Sequence, residues 1–163
     1  MEVSDEVSDV RAMCAIGQRG QLGLRGGMPW EGAKGAVFRR DVERFFEVTR
    51  GHVLLAGPRT AASIPEGERA NRTIAVIRSS MRPEDALAPF AGRVVYIGGG
   101  PPVWTAYAHL IQHWDITRLP YDGEADRWFD PAWLVAARGA AGPGAASRIE
   151  AHGGAGASPE GAP

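Results

Sequence analysis

The sequence LGLRGGMPW at residues 22–30, followed after a polar stretch by DVERFFEVT at residues 41–49, is the most informative part of the chain. The first piece has too many glycines for a helix and too many apolar residues for a solvated linker, so it predicts a loop that closes over an apolar site. The second has helical spacing, with Asp41 as the only acid on its apolar side and Phe45 one turn later. A lid beside this helix predicts an enclosed pocket for a flat, cationic or amidine-like ring.

Short apolar runs recur along the rest of the chain and predict the strands of a buried sheet. They are AMCAIG (12–17), GHVLLAG (51–57), RTIAVIRS (72–79), VVYIGGG (94–100) and DITRLPY (115–121). Helices are predicted between them, in DVERFFEVT, from Pro83 to Gly92, and in PPVWTAYAHLIQHW (101–114). Strands that alternate with helices predict an α/β domain with a mostly parallel central sheet.

Length, charge and cysteine content exclude several classes of protein. The chain has 163 residues, which suits one domain, and its 18 basic and 19 acidic residues leave no excess charge for binding nucleic acid. The single cysteine, Cys14, excludes an intramolecular disulfide and reads as a small buried residue, and the four histidines show no metal-binding spacing. No run approaches the ~18 apolar residues of a membrane span. We therefore expect a cytoplasmic protein without a metal.

Composition divides the chain into three parts. Residues 1–10 predict a flexible acidic N-terminus, and residues 11–135 carry the whole pattern of strands and helices. Residues 136–163 are rich in Ala, Gly and Pro and bury too little surface to offset their ordering entropy, so they predict a largely disordered tail. Within that tail SRIEAH alone reads as a short ordered patch.

Two glycine corners follow predicted strands. VVYIGGGPP (94–102) leads into a helix start, where glycines let a backbone approach a pyrophosphate, and AGPRT (56–60) forms a second such corner. A glycine triplet after a strand is more often only a tight turn, and this one is not the GxGxxG fingerprint. Two corners at strand ends nevertheless favour an extended cofactor along the sheet edge. Arg72 and Arg78, which flank the third strand, are either solvated or bind anionic groups.

Asp41 and the aromatic residues also have plain structural interpretations. An acid near the start of a helix is favoured by the helix dipole, so Asp41 need not face a pocket. Trp30, Phe45 and Trp104, taken singly, are more often core residues than stacking surfaces. The functional interpretation requires the Asp41 side chain to point inward.

Taken in order, these pieces resemble the dihydrofolate reductase superfamily over about residues 11–133. AIGQRGQLGLRGGMPW is similar to that family's first strand and mobile active-site loop, and DVERFFEVT to its substrate helix. VLLAGPRTAASIP, RTIAVIRSS and VVYIGGG resemble the segments beside the nicotinamide, adenosine and pyrophosphate. The resemblance implies a three-layer α/β fold with helices on both faces of the sheet. It also implies an NAD(P)H-dependent reductase of the C6–N5 imine of a 7,8-dihydropterin.

The resemblance assigns roles to individual residues. Asp41 would bind the amino-pyrimidine edge of the pterin, Thr117 would support it, and Trp30 would belong to the loop that closes over the reacting rings. The residues implied for the pterin are Ala15, Ile16, Met28, Phe45 and Arg72. Those implied for NADPH, with NADH as the alternative, are Ala15, Leu22, Gly23, Gly57, Arg59, Thr60, Arg78, Ser79, Ile97, Gly98, Gly99, Gly100, Val103 and Trp104. The family's unusual cis peptide would join Gly98 to Gly99.

The chain departs from the family pattern at several places. About six extra residues, within EGAKGAVFRR, separate Trp30 from Asp41, so the pocket entrance is altered. Pro58 follows Gly57 where relatives that use NADPH often have a basic residue, which leaves Arg59 or Arg78 to recognise the 2′-phosphate. The family's closing strands have no counterpart in the tail. An exposed sheet edge would then favour cover by a second copy, that is, a homodimer.

These departures indicate a specialised branch. GLRGGMPWEG, RGHVLLAGPRT, GGGPPVW and LPYDGEADRWFDPAW are similar to segments of the dihydromethanopterin reductases of methylotrophic bacteria. That resemblance implies reduction of dihydromethanopterin to tetrahydromethanopterin, a one-carbon carrier. The alternatives are a dihydrofolate reductase with a divergent lid and, from another class, a non-catalytic nucleotide- or pterin-binding protein.

Overall fold

A computed structural model describes residues 8–31, 35–141 and 148–153 of the chain. Its strands within these ranges are β1 (Asp9–Ile16), β2 (Gln21–Gly23), β3 (Val53–Ala56), β4 (Thr73–Val76), β5 (Val94–Ile97), β6 (His113–Arg118), β7 (Arg127–Trp128) and β8 (Arg148–Gly153). Its helices are α1 (Ala36–Thr49), α2 (Pro58–Ala62), α3 (Glu66–Arg69), α4 (Pro83–Leu87), α5 (Pro101–Tyr107) and α6 (Ala132–Ala141).

A central sheet with the strand order β4-β3-β5-β1-β6-β8 organises the fold. Every neighbouring pair in it is parallel, while β2 and β7 form a separate antiparallel ribbon. The carboxyl ends of the parallel strands therefore meet at one edge. The predicted α/β class with a mostly parallel sheet is confirmed.

Helices cover both faces of this sheet, as expected. Alternate side chains of β1 divide between the faces, because successive residues of a strand point in opposite directions. Met13 lies in the cluster that packs against α1, whereas Cys14 lies in the cluster that packs against α4, α5 and α6. The three layers are thus α1, the sheet, and the helices α4 to α6. No helix among the described residues is long and apolar enough to cross a membrane.

Several element boundaries differ from the sequence prediction, among them the ends of α5 and α6. The predicted helix 101–114 ends early: α5 stops at Tyr107, a short 3-10 turn follows, and Trp114 belongs to β6, where it pairs with Ala12. At the other end of the chain α6 continues across residue 136 to Ala141. Long-range pairing and packing, which local composition does not reveal, decide both cases.

The edge of the sheet beside β6 is occupied by β8. Arg148–Gly153 pairs in parallel with the whole of β6, so the segment read as a short ordered patch is a sheet strand. The bare β6 edge on which a second copy was expected is therefore covered by the chain itself. The predicted N-terminal arm lies outside the described residues up to residue 7, as do residues 142–147 and 154–163 of the predicted tail.

Candidate active site

The two glycine corners lie side by side at the carboxyl edge of the sheet. The Gly98 N–H donates to the Leu55 carbonyl at 2.7 Å, and the Gly57 N–H approaches the Gly99 carbonyl at 3.5 Å. This contact follows from the pairing of β3 with β5, which brings the two strand ends together. The predicted pair of corners therefore forms one continuous backbone surface at the edge where α/β proteins bind ligands.

The corner after β5 requires glycine for reasons of space and backbone conformation. Gly99 has a φ of 92°, a left-handed value that side chains disfavour, and a Cβ there would lie 2.8 Å from the Trp104 ring. A Cβ on Gly98 would lie 2.9 Å from a methyl group of Leu54. The cis peptide joins Gly99 to Gly100, so its predicted place at Gly98–Gly99 is wrong by one residue. The bond from the Gly98 N–H to Leu55 continues the pairing of β5 with β3 one residue past the end of the strand, and the turn therefore falls later.

The backbone donors at this corner are fewer than the glycine pattern suggests. Pro101 and Pro102 have no N–H, and the N–H groups of Val103 and Trp104 both donate to the Gly100 carbonyl, at 2.9 and 3.0 Å. The start of α5 therefore offers little to an anion. Any phosphate recognition at this corner falls to the Gly99 and Gly100 amides.

The remaining residues predicted for the cofactor fall into an exposed and a packed group. Arg59, Arg78 and Ser79 are exposed, Thr60 is partly buried in α2, and Val103 packs beside Gly57. The packed group contains Ile97, which lies in the core. It also contains Leu22 and Gly23 of β2, of which Gly23 pairs with β7.

Trp104 lies behind the glycine corner. It is buried, donates from Nε1 to the Ile97 carbonyl at 3.0 Å, and packs against Trp114 and Trp133. The structure thus places it under Gly99 as a core residue that supports the corner. Its contact with the cofactor, which the family resemblance implies, stays a prediction.

Asp41 lies on the inward stripe of α1. That stripe is formed by the partly buried Val37, Phe38, Asp41, Arg44, Phe45 and Val48, which repeat at helical spacing. Because α1 begins at Ala36, Asp41 stands in its second turn, and the first turn contains no acid. Favourable interaction with the helix N-terminus, which falls off after the first turn, therefore does not account for this carboxylate.

Asp41 is also electrostatically unusual. Burial is the main cause that raises the pKa of this carboxyl above its usual value; nearby Asp115 raises the pKa further, while Arg44 acts in the opposite direction. Within the described ranges no hydrogen bond or ion pair reaches the Asp41 carboxylate. A partly buried acceptor without an internal partner is suited to a ligand that donates hydrogen bonds.

The ends of β1 and β6 provide the floor opposite Asp41. Ala15 and Thr117 are register partners, and both lie on the α1 side of the sheet. Ile16, predicted for the pterin, points the other way and belongs to the core under α5 and α6. That part of the prediction is wrong, because neighbouring residues of a strand face opposite sides. Counting the alternation along β1 would have shown it.

Trp30 is held by an extension of α1. It is buried beside Ala15 and Leu119, stacks on Phe38 at a centroid distance of 6.2 Å, and meets Tyr121 edge to face at 5.8 Å. Ala36–Arg40, the second half of the segment EGAKGAVFRR, is helical, whereas residues 32–34 lie outside the described residues. Ala36–Arg40 forms the start of α1, and Phe38 within it stacks on Trp30.

Phe38 and Tyr121, which the sequence analysis does not single out, pack on Trp30 and so lie beside the candidate site. Met28, at 48% exposed, does not share this packing.

The Arg72 guanidinium forms its hydrogen bonds within the protein. Its side chain is 0% exposed and packs over the Phe46 ring. Nε donates to the Glu68 carbonyl, Nη1 to the Phe46 carbonyl and Thr49 Oγ1, and Nη2 to Glu68 Oε2 and Asn71 Oδ1. All five N–H groups of the guanidinium are thereby used. The prediction that Arg72 binds substrate is corrected accordingly: it joins α1 to the segment before β4.

A final feature that the sequence reading missed is an ion pair next to Asp41. Arg44 of α1 donates from Nη1 to Asp115 Oδ1 at 3.2 Å and from Nη2 to Oδ2 at 2.6 Å. Asp115 lies two residues before Thr117 on β6, and so on the same face. The spacing of Asp115 and Thr117 along the predicted strand was the available signal.

The fold and this edge of the sheet define a protein of the dihydrofolate-reductase-like class. The dihydromethanopterin reductase of Methylorubrum extorquens strain AM1 is 64% identical to this chain over 127 residues, which cover 78% of the chain and 94% of that protein. No family model matches the chain. At this identity and coverage, the chain belongs to the dihydromethanopterin reductase family.

Proposed function

We propose that the chain reduces dihydromethanopterin to tetrahydromethanopterin with a nicotinamide cofactor, NADPH rather than NADH. The observation that carries the proposal is the Asp41 carboxylate, which is partly buried on the inward side of α1 and has no hydrogen-bond or ion-pair partner among the described residues. The name of the 64% identical relative gives the substrate. The reaction adds a hydride to C6 and a proton to N5 of the imine.

Asp41 would bind the pterin by its amino-pyrimidine edge. That edge presents two N–H groups side by side, which match the two oxygens of a carboxylate. Thr117 Oγ1 would steady the same edge from the neighbouring strand. The negative charge of Asp41 would also favour a protonated N5, and so make C6 a better hydride acceptor. The N5 proton itself would come from water.

The chain's groups at the carboxyl edge fit a nicotinamide dinucleotide. The Gly99 and Gly100 amides carry no bond from the described backbone, and their lack of side chains lets a pyrophosphate approach closely. Arg59 and Arg78 are exposed cations at the ends of β3 and β4, where a 2′-phosphate would lie. The cofactor, when bound, supplies the hydride. The protein's part is to align the rings and exclude water.

The lid supports this role through Trp30. Because Phe38 and Tyr121 hold the indole, the loop at residues 22–30 is anchored beside Ala15 at the floor of the pocket. Arg59 meets the tip of the same loop, since a Cβ on Gly26 would lie 3.1 Å from Arg59 Nη1. The lid thus links the proposed pterin and cofactor sites.

The state of Arg72 favours dihydromethanopterin over dihydrofolate. The family resemblance implies that a folate enzyme uses an arginine at this place for the glutamate carboxylate. Here that guanidinium is fully occupied by the chain, so a folate tail would lose its partner. Dihydrofolate reduction is the second candidate, and non-catalytic binding the third. The cytoplasmic location and the homodimer stay predictions from the sequence.

Steady-state assays with both pterins and both nicotinamides test the proposal. We expect oxidation of NADPH that depends on dihydromethanopterin, with a kcat/KM at least about tenfold above that for dihydrofolate or for NADH, because one charged contact is worth about that factor. Cofactor oxidation without a pterin is the control. Turnover of dihydrofolate alone would reject the substrate, and absence of turnover with tight pterin binding would favour the non-catalytic alternative.

A further inference from the structure

The ion pair between Arg44 and Asp115 joins the helix and the strand that carry the proposed pterin contacts. Its two parallel hydrogen bonds form a fork, the geometry in which arginine binds a carboxylate most specifically. The Asp115 side chain is 7% exposed and that of Arg44 33%. The fork therefore lies inside the layer between α1 and the sheet, where screening by water is weak.

Arg44 has two carboxylates within its reach. Asp41 precedes it by three residues on α1, a spacing that places the two side chains on the same side of the helix. Asp115 faces it from β6. In the structure the guanidinium pairs with Asp115 and makes no ion pair with Asp41 within the described residues. Asp115 thus binds a guanidinium that lies close enough to Asp41 to lower the pKa of that carboxyl.

We propose that Asp115 is a positioning residue that holds the Arg44 guanidinium away from Asp41, and thereby leaves the Asp41 carboxylate open to the hydrogen-bond donors of the substrate. The inference rests on the proposed function for the identity of that substrate. A guanidinium on Asp41 would occupy the two oxygens that the amino-pyrimidine edge needs. Asp115 accepts the same two hydrogen bonds from Arg44, and its side chain is buried.

The charge of the pair matters as well as its position. Arg44 and Asp115 together are close to neutral, so Asp41 faces opposing influences: Arg44 lowers its pKa and Asp115 raises it. From β1, Arg11 lies on this face, level with His113, and pairs with Asp9, whereas Cys14 lies on the opposite face of the sheet, where burial and the charges of Asp115 and Asp41 raise the pKa of its thiol. His113 is the remaining titratable group on this face of β6, two residues before Asp115.

Removing Asp115 and removing Arg44 should therefore shift the pKa of Asp41 in opposite directions. In Asp115→Asn a like charge disappears and Arg44 is released toward Asp41, so the pKa of Asp41 falls. In Arg44→Gln the opposite charge disappears while the like charge of Asp115 remains, so the pKa of Asp41 rises. A double variant with both changes should return it toward the wild-type value.

The direct test is the carboxyl carbon resonance of Asp41, followed by NMR against pH in the full-length protein without pterin or nicotinamide. The Asp41→Asn variant assigns the signal. We expect the midpoint to move to lower pH in Asp115→Asn and to higher pH in Arg44→Gln. Movement in the same direction, or none in either variant, overturns the proposal. Asp9→Asn, which breaks the other forked pair, Arg11 with Asp9, at the far edge of the sheet, is the matched control.

Kinetics provide the second measurement. Asp115→Asn should raise the KM for the dihydropterin by about tenfold or more while changing kcat less, because Arg44 then competes with the substrate for Asp41. Asp115→Glu should restore most of the loss. A pair with a merely structural role would lower Tm in both variants and leave the KM and the Asp41 midpoint unchanged. If wild-type protein turns over no pterin, the proposed function fails, yet the resonance still decides the role of Asp115.

Discussion

The two faces of the sheet differ in what they bury. On the side of α5 and α6, Trp104, Trp114, Trp133 and Phe129 form a continuous aromatic cluster, in which Trp114 and Trp133 stack with ring planes only 4° apart. On the side of α1, the same strands bury or partly bury a fork of charges and the Asp41 carboxylate. The α5 and α6 side therefore stabilises the fold through apolar packing, whereas the α1 side buries charged groups, which costs stability, and forms the candidate site.

Strand alternation makes this division possible. Trp114 and Asp115 are neighbours in β6, both buried, and they serve opposite layers. A substitution of Trp114 should therefore change the stability of the fold, whereas a substitution of Asp115 should change the catalysed reaction.

Trp114→Ala should have the largest effect on stability. The side chain is 0% exposed, so its removal leaves a cavity in the aromatic cluster and costs about 3–5 kcal/mol. Urea unfolding measures the loss, with Trp128→Ala, whose side chain is 44% exposed, as the control expected to cost less than about 1 kcal/mol. Equal losses in the two variants would remove the distinction between the aromatic cluster and the surface.

Arg72→Met should destabilise the α1 face without weakening substrate binding. It leaves buried acceptors of Phe46, Thr49 and Glu68 without their donor, at a cost of about 2–4 kcal/mol. The KM for dihydromethanopterin should stay within about twofold of wild type, since no N–H of Arg72 is open to a ligand. Arg93→Met, at an exposed arginine bonded to Thr73, is the matched control. A large rise in KM with unchanged stability would instead restore the ligand role.

Phe38→Ala should loosen the lid. The change removes the ring on which Trp30 stacks, with an expected loss of about 1–2 kcal/mol and a several-fold fall in kcat/KM. Trp30 emission should shift to longer wavelength as the indole becomes hydrated. Val42→Ala, at an exposed position of the same helix, should change none of these quantities. An unaltered emission and rate would show that the helical insert does not support Trp30.

Asp41→Asn should raise stability slightly. The pKa of Asp41 is raised in the folded state, so ionisation opposes folding, and the penalty develops as the pH rises from the ordinary carboxyl range through the folded pKa. At pH 7 the amide should raise the Tm, and the gain should vanish in acid, where both side chains are neutral. Glu43→Gln, on the exposed side of α1, is the control. A loss of stability at pH 7 would mean that the carboxylate has a structural partner.

Local sequence patterns predict individual strands and turns, but they do not predict contacts between elements that are distant along the chain. Apolar runs located the main strands, and glycines after β3 and β5 located the corner. The Arg44–Asp115 fork and the Phe38–Trp30 stack depend on which elements become neighbours, which no local pattern specifies. SRIEAH stands out in the sequence as a short ordered patch, but its place as strand β8 depends on pairing with β6, which its flanking Ala and Gly residues do not indicate.

The most direct test of the central claim is the kcat/KM of Asp41→Asn for dihydromethanopterin, measured beside the Kd for NADPH. The amide keeps the shape of the side chain but loses the paired acceptors and the charge. We predict a fall in kcat/KM of about 100-fold or more, with the NADPH Kd within about twofold of wild type. Turnover within a few-fold of wild type would contradict the assignment of Asp41 as the group that binds and activates the pterin.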